Sequence, residues 1–163
     1  GLDYYWDEPD RGIQKKWFER QLQLAREVKL PVIIHSREAA KDTLDIMKAA
    51  HGEELGGVVH CFSYTKEIAK EYLDMDYYFG IGGVVTFQNG KKLKEVVEYL
   101  PIEKMLLETD SPYLAPVPYR GKRNSSLYIP LIAKEIAKIK GMDYDEVVRV
   151  TEGNAKSLFG IGE

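Results

Sequence analysis

The chain has 163 residues, 44% of them hydrophobic and 30% charged, with a formal net charge of −3. That length suits one domain around a single core, and no apolar run approaches the roughly 18 residues that would span a bilayer. No charged-then-apolar signal peptide opens the chain, and the lone Cys61 excludes an intramolecular disulfide framework, which fits a reducing, cytoplasmic setting. The charge balance supplies no global attraction for nucleic acid, so an anionic substrate must be met by a local patch. The opening Gly1-Leu2-Asp3 lacks a starting Met, an early pointer to truncation.

In chain order, Gly1-Leu2-Asp3 reads as the stub of a strand. The spacing then predicts a helix over 13–28, with Ile13, Trp17, Leu24 and Val28 on one stripe and Gln21 as its polar interruption. A short apolar run at 30–34 has the length of a buried strand, and a helix is expected over 38–50, with His51 before Gly52 as its C-terminal capping residue. A strand at 57–59, a helix over 66–74 and a strand at 77–81 follow. Gly80-Ile81-Gly82-Gly83 lacks the spacing of a dinucleotide fingerprint and reads as a close-packed strand end. Asn89-Gly90 makes a turn into a helix over 91–100, where Lys91, Lys92 and Lys94 form a solvated face. The last strand is expected at 105–107, followed by an ordered loop over 112–126 stiffened by Pro112, Pro116 and Pro118. Helices over 127–139 and 143–159 close the chain, the second opened by Asp143 and Glu146 at capping-box spacing. Strand then helix, four times over, predicts the α/β class with a parallel sheet.

The chemically capable residues share one station. His35 follows Val32-Ile33-Ile34, His60 follows Gly57-Val58-Val59, and Asp110 follows Leu106-Leu107-Glu108-Thr109, each at the carboxyl end of a different predicted strand. In parallel α/β folds that edge carries ligands and catalysis. Asp3 would sit there equivalently. Two neutral imidazoles and a carboxylate suit Zn²⁺ or Mn²⁺, and the carboxylate alone could help hold Mg²⁺. The plain alternatives stand beside this reading: histidines satisfied in a loop or core, and an Asp before Ser-Pro that forms a turn or an N-cap. Cys61 has the opposite strand parity to His60 and reads as a packed, inert thiol. Ser36, Arg37 and Ser63 flank the histidines and either bind a phosphate or carboxylate or, for the serines, cap helices. Arg120, Lys122 and Arg123 interleave with Tyr113, Tyr119 and Asn124, either gripping a phosphodiester backbone and stacking a base or forming a solvated loop.

Gly1-Leu2-Asp3-Tyr4-Tyr5, Pro31-Val32-Ile33-Ile34-His35-Ser36-Arg37, His60-Cys61-Phe62-Ser63, Ile81-Gly82-Gly83-Val84-Val85-Thr86-Phe87, the run from Leu106 to Pro116, Arg120-Gly121-Lys122-Arg123-Asn124 and the run from Asn154 to Phe159 resemble, in order, motifs of the TatD family of metal-dependent deoxyribonucleases. Tyr64 departs from the usual glycine, and Gly80 from a common serine. The resemblance implies an amidohydrolase-like (β/α)8 TIM barrel with a two-metal centre at the strands' carboxyl ends. It implies that His35 and His60 ligate one divalent ion (Zn, Mg or Mn), while Asp110 ligates the other and orients or deprotonates the water that attacks a phosphodiester of DNA. Glu108 would orient a ligand from behind, and Arg37 and Arg123, with Ser63 and Arg120 nearby, would hold substrate phosphates.

The family's HxH motif and the glutamate two residues before Gly-Leu-Asp-Tyr are absent. On this reading residues 1–163 are the carboxyl-terminal half of a TIM barrel, incomplete without the N-terminal strands. Exposed sheet edges then favour a homodimer, and the isolated chain is weakly active or inactive. Two other functions fit the residues: a metal-dependent ester or amide hydrolase, and a non-catalytic phosphate-binding or dimerising fragment.

Overall fold

In a computed structural model describing residues 1–162, short parallel strands alternate with helices as the changing hydrophobic period anticipates. Strand β1 (Leu2–Asp3) pairs with β3 (Ser36–Arg37), while β2 (Val32–Ile34), β4 (Gly57–Val59), β5 (Tyr78–Ile81) and β6 (Met105–Leu107) form one sheet in that order. Every pairing is parallel. Helices α1 (Arg11–Val28), α2 (Ala40–Ala49), α3 (Lys66–Asp74) and α4 (Lys91–Tyr99) connect the strands, and α5 (Ile129–Lys140) and α6 (Tyr144–Phe159) follow β6. The chain is therefore α/β with a parallel sheet. Among the described residues, no helix is long and apolar enough to cross a membrane.

Strand parity divides the sheet into two faces. Ile34, Val59, Phe79, Ile81 and Met105 enter the core with Phe18, Leu22, Met47, Tyr72, Val96 and Ile132 from the helices. The opposite face carries Ile33, Val58 and Tyr78 side by side in register, and one layer further on it carries His35, His60, Gly80 and Leu106. The apolar side chains that bind the sheet to its helices thus leave the histidines on the other side.

Helix α1 differs from the predicted pattern. Its buried residues are Phe18 and Leu22, one turn apart, whereas Ile13, Trp17, Leu24 and Val28 are 47% to 59% exposed. The helix has two apolar faces, and the narrower one meets the core. Asp10 caps its first turn by accepting from the Gly12 and Ile13 amides. One turn on, the Gln14 amide accepts from the Asp3 backbone N–H at 2.8 Å and donates to the Asp3 carbonyl at 2.9 Å.

Three further positions differ from expectation for local reasons. Helix α2 starts at Ala40, after Glu38 takes a left-handed φ of 54°. Its cap residue Ala39 has no side-chain oxygen, and the Tyr64 hydroxyl accepts from the Ala39 amide at 3.2 Å instead. Ser36 is buried between Thr43 Oγ1 and Tyr64 Oη at 2.9 Å each, so it neither caps a helix nor offers its hydroxyl to a ligand. Lys94 is not simply solvated, since its ammonium pairs with Glu135 at 2.6 Å.

Other expectations hold. His51 sits just past α2 in the left-handed region, and its carbonyl accepts from Arg26. Asp143 caps α6 through the Asp145 and Glu146 amides. The loop over 112–126 is anchored by buried Asn124, whose Nδ2 donates to the Thr109 and Tyr113 carbonyls at 2.7 Å each.

Candidate metal and catalytic site

Backbone pairing continues just beyond the strands and fixes the site residues. The His60 amide donates to the Ile34 carbonyl at 2.9 Å, and the Glu108 amide to the Ile81 carbonyl at 3.2 Å. From that anchored position the Glu108 carboxylate reaches across the sheet. Its Oε2 accepts from His60 Nδ1 at 2.5 Å and its Oε1 accepts from the Cys61 backbone N–H. Gly80 lies beneath this crossing: a Cβ there would stand 2.6 Å from Glu108 Oε1 and 2.8 Å from its Cδ. A side chain here would have to displace the Glu108 carboxylate, and the glycine suits the close strand-end packing its sequence context suggests.

With Nδ1 committed to Glu108, His60 turns Nε2 towards Asp110 Oδ1 at 3.4 Å. The carboxylates raise the His60 pKa above its ordinary value, the hydrogen bond to Glu108 contributing most and burial opposing it. His35 forms a second pair, with Nε2 3.0 Å from Asp3 Oδ2, while Asp3 Oδ1 accepts from the Tyr5 amide. The two imidazole centroids are 6.1 Å apart and their planes tilted by 32°.

Cys61 and Asp110 have φ of 47° and 56°, left-handed values that non-glycine residues seldom adopt and that recur at functional sites. Asp110 also closes a turn, its carbonyl accepting from the Tyr113 amide. The turn-forming reading of this residue is realised, and Asp110 also lines the cleft described below. Burial pushes the Cys61 thiol up to about 12, so it stays protonated and is a poor nucleophile.

His35, Arg37, His60, Ser63 and Asp110 line a cleft of about 600 Å³, together with Trp6 and Tyr113. The Arg37 guanidinium lies 3.8 Å over the Tyr5 ring. Arg120 and Arg123 do not line this cleft. Arg120 sits 4.3 Å over the Phe87 ring, and Arg123 lines a separate, shallower hollow with Thr109, Ser111 and Ser125. Tyr119 stacks one face of its ring on Tyr128 at 4.3 Å. Asp3 and Trp6 are the contributors that strand-end reasoning underweights, one placed by the stub strand and the other by the turn after it.

The donor set suits a divalent metal. A histidine whose Nδ1 is fixed by a carboxylate and whose Nε2 faces a second carboxylate has the outer support that ligating histidines require. Two imidazoles and two carboxylates match the N/O preference of Zn²⁺ and Mn²⁺. The fit is pairwise: among the described residues, the only three candidate ligands with donor atoms within 4.8 Å of one another are the exposed His51, Glu53 and Glu54. That trio is at the amino end of β4, away from the cleft, and exposed groups often gather so without an ion.

Fold and donor cluster together define a parallel α/β protein of the class that works at the carboxyl ends of its strands. The TatD related DNase family matches residues 1–160, and the chain belongs to that family. It is 47% identical over 161 residues to a Bacillus subtilis protein named uncharacterized metal-dependent hydrolase YabD, covering 99% of this chain and 63% of the relative. It is 41% identical to YcfH of Escherichia coli K12, named in the same terms, with 99% and 61% covered. The chain thus spans a little over three fifths of these relatives. The crystal structure of YJJV, a TatD homologue from Escherichia coli K12, superposes with a TM-score of 0.92 at 29% identity, over 99% of this chain and 62% of that one. A TatD family hydrolase from Entamoeba histolytica shares the fold with a TM-score of 0.87 at 24% identity, covering 98% and 61%.

Proposed function

We propose that this cleft hydrolyses phosphodiester bonds of DNA with the help of divalent metal ions. The observation that carries this reading is His60, hydrogen-bonded by Glu108 on one ring nitrogen and facing Asp110 at 3.4 Å with the other, in a cleft shared with His35. On this reading His35 and His60 hold one ion and Asp110 meets a second. Bound ions supply Lewis acidity and lower the pKa of water. Asp110 orients the attacking water and takes its proton, and Glu108 keeps His60 turned into the cleft. Arg37 and Ser63 grip the non-bridging phosphate oxygens, and Arg123 in the adjoining hollow meets a neighbouring phosphate. Arg120, packed over the Phe87 ring outside the lining of the cleft, is left for phosphates further along the strand.

The consecutive parallel strand order and the apolar residues exposed on α1 and β2 support reading the sheet as part of a TIM-barrel wall, with a second copy covering its open edges. His35, His60 and Asp110, even joined by Asp3, supply few donors for two ions. The chain alone is therefore weakly active or inactive. A reducing, cytoplasmic setting suits free Cys61.

Elemental analysis of the purified chain and its His35→Ala and His60→Ala variants tests the metal assignment, with uptake expected to fall in both. Cleavage assays on single-stranded DNA, small esters and small amides test the bond. Ester or amide turnover without DNA cleavage would overturn the substrate class. Oligonucleotide binding without any metal uptake would make the chain a phosphate-binding module. Robust DNA cleavage by the 163-residue chain, abolished in His60→Ala, would overturn the expectation of weak activity. A monomer by sedimentation at micromolar concentration would remove the second copy.

A further inference from the structure

The two histidines of the cleft belong to different segments. His35 leads into β3, and His60 opens the loop between β4 and α3. Backbone pairing between these segments reaches as far as the bond from the His60 amide to the Ile34 carbonyl. Past that point the tie is made by side chains. Ser36, the residue after His35, places its Oγ 2.9 Å from both Thr43 Oγ1 and Tyr64 Oη, and Tyr64 ends the loop that His60 begins.

Counting protons gives each of these bonds a direction, because a hydroxyl donates only once. Thr43 donates to the Ala39 carbonyl at 2.8 Å, so it must accept from Ser36. Ser36, its proton on Thr43, must accept from Tyr64. The Tyr64 hydroxyl in turn accepts from the Ala39 amide at 3.2 Å. A closed circuit results, leaving from the Ala39 N–H and returning to the Ala39 carbonyl through three hydroxyls. Bonds in such a circuit polarise one another, and removing one hydroxyl opens it. Ser36, Ala39 and Thr43 are buried, and Phe62 meets the Tyr64 ring edge to face with centroids 5.9 Å apart. Tyr64 is the one member of the circuit outside residues 36–43, so within it the Tyr64 hydroxyl alone fastens the His60 loop to the segment that carries His35 and Arg37.

We propose that Tyr64 is a positioning residue whose hydroxyl sets the seat of His35 opposite His60. This assignment rests on the reading above in which both imidazoles hold one ion, and it adds a side chain that touches neither ion nor substrate. The imidazole centroids stand 6.1 Å apart, and a ligating constellation must be held to within about 0.5 Å. Glu108 holds His60 from its own side. Without the Tyr64 hydroxyl, β3 keeps its two-residue pairing with β1 but loses its side-chain tie to the His60 loop, and His35 is the ligand that drifts.

Tyr64→Phe keeps the ring and removes only the hydroxyl. Co²⁺ is titrated into the 163-residue chain, its visible absorption reporting occupancy and ligand geometry together. Tyr64→Phe is expected to weaken Co²⁺ binding about tenfold and to move the saturated spectrum towards that of His35→Ala. Ser36→Ala opens the same circuit and should produce the same shift, with the double variant adding little to either. Two controls separate position from bulk stability. Tyr72→Phe removes a buried hydroxyl that has no hydrogen-bond partner, and Asn154→Ala weakens the fold away from the cleft; both should bind Co²⁺ as the unaltered chain does. Unaltered affinity and spectrum in Tyr64→Phe and Ser36→Ala, or an equal loss in Asn154→Ala, overturns the proposal. In the metal-free chain the Tyr4 amide donates to the Arg37 carbonyl at 2.9 Å, and its exchange should quicken more in Tyr64→Phe than in Asn154→Ala. Unaltered exchange there overturns the proposal as well. Co²⁺ binding that survives in both His35→Ala and His60→Ala defeats the metal reading instead, and the exchange result then judges the tie by itself.

Discussion

Replacing Glu108 by Gln removes one negative charge while keeping the length of the side chain. Glu108 Oε2 accepts from His60 Nδ1 at 2.5 Å, and that bond is the leading cause of the raised His60 pKa. A hydrogen bond to a charged partner contributes roughly 1.5–3 kcal/mol. The two side chains are 24% and 21% exposed, and screening at that exposure reduces the expected value to about 1–2 kcal/mol. Because the folded pKa lies above the unfolded value of about 6.5, this stabilisation is fully present below about pH 6.5 and is lost as pH rises through the folded pKa. Metal loading runs the other way: an ion requires neutral imidazole, so protons compete and affinity grows with pH. Glu108→Gln should therefore lower the His60 pKa and flatten the acid-side stability gain of the chelator-treated chain. It should also weaken divalent metal binding about 10–100-fold. NMR titration of the His60 ring, urea unfolding on either side of neutrality and competitive metal titration read these three effects. A His60 pKa that stays in place or rises in the variant refutes the reasoning.

The same crossing can be attacked from below. Gly80→Ala puts a methyl 2.6 Å from Glu108 Oε1, so the carboxylate must shift, with an expected loss of about 1–3 kcal/mol from overpacking and a lowered His60 pKa. An unchanged pKa would show that Glu108 has room to move. Asn154→Ala removes buried hydrogen bonds of 2.9 and 2.8 Å to the Ile102 and Met105 carbonyls; thermal unfolding should report a loss of about 2–3 kcal/mol. Tyr64→Phe deprives the Ala39 amide of its acceptor and should cost about 1–2 kcal/mol. Amide exchange at the start of α2 should quicken in that variant, and unaltered protection there would contradict the capping role.

The strand ends bearing His35, His60 and Asp110 are legible in the sequence because run length, parity and flanking residues are local quantities. The parallel sheet is legible for the same reason, since helices join most successive strands, whereas the two-residue β3 directly after His35 is not anticipated. What joins the site together is not local. Glu108 and His60 lie 48 positions apart, and no spacing rule brings them within hydrogen-bond reach. Asp3 and His35, 32 positions apart, meet only because β1 pairs with β3. Periodicity also leaves open which face of α1 meets the sheet when two faces are apolar, and so the stripe through Trp17 is exposed. Arg120 and Tyr119 look free in sequence because the rings that engage them, Phe87 and Tyr128, lie in other segments.

Gln14 gives the outer edge of β1 an unusual property. Alternate residues of that strand turn their peptide groups to opposite sides: the Leu2 and Tyr4 amides serve β3, while both peptide groups of Asp3 are taken by the Gln14 carboxamide. A planar amide is the chemical equivalent of one strand residue, and here it is donated by the helix that immediately follows. Any polypeptide seeking to lengthen the sheet past β1 must therefore exchange two existing hydrogen bonds for two new ones, with no net bond gained at that point. The outer edge of β1 is thus occupied at Asp3, and templating of further strands is discouraged at that one residue.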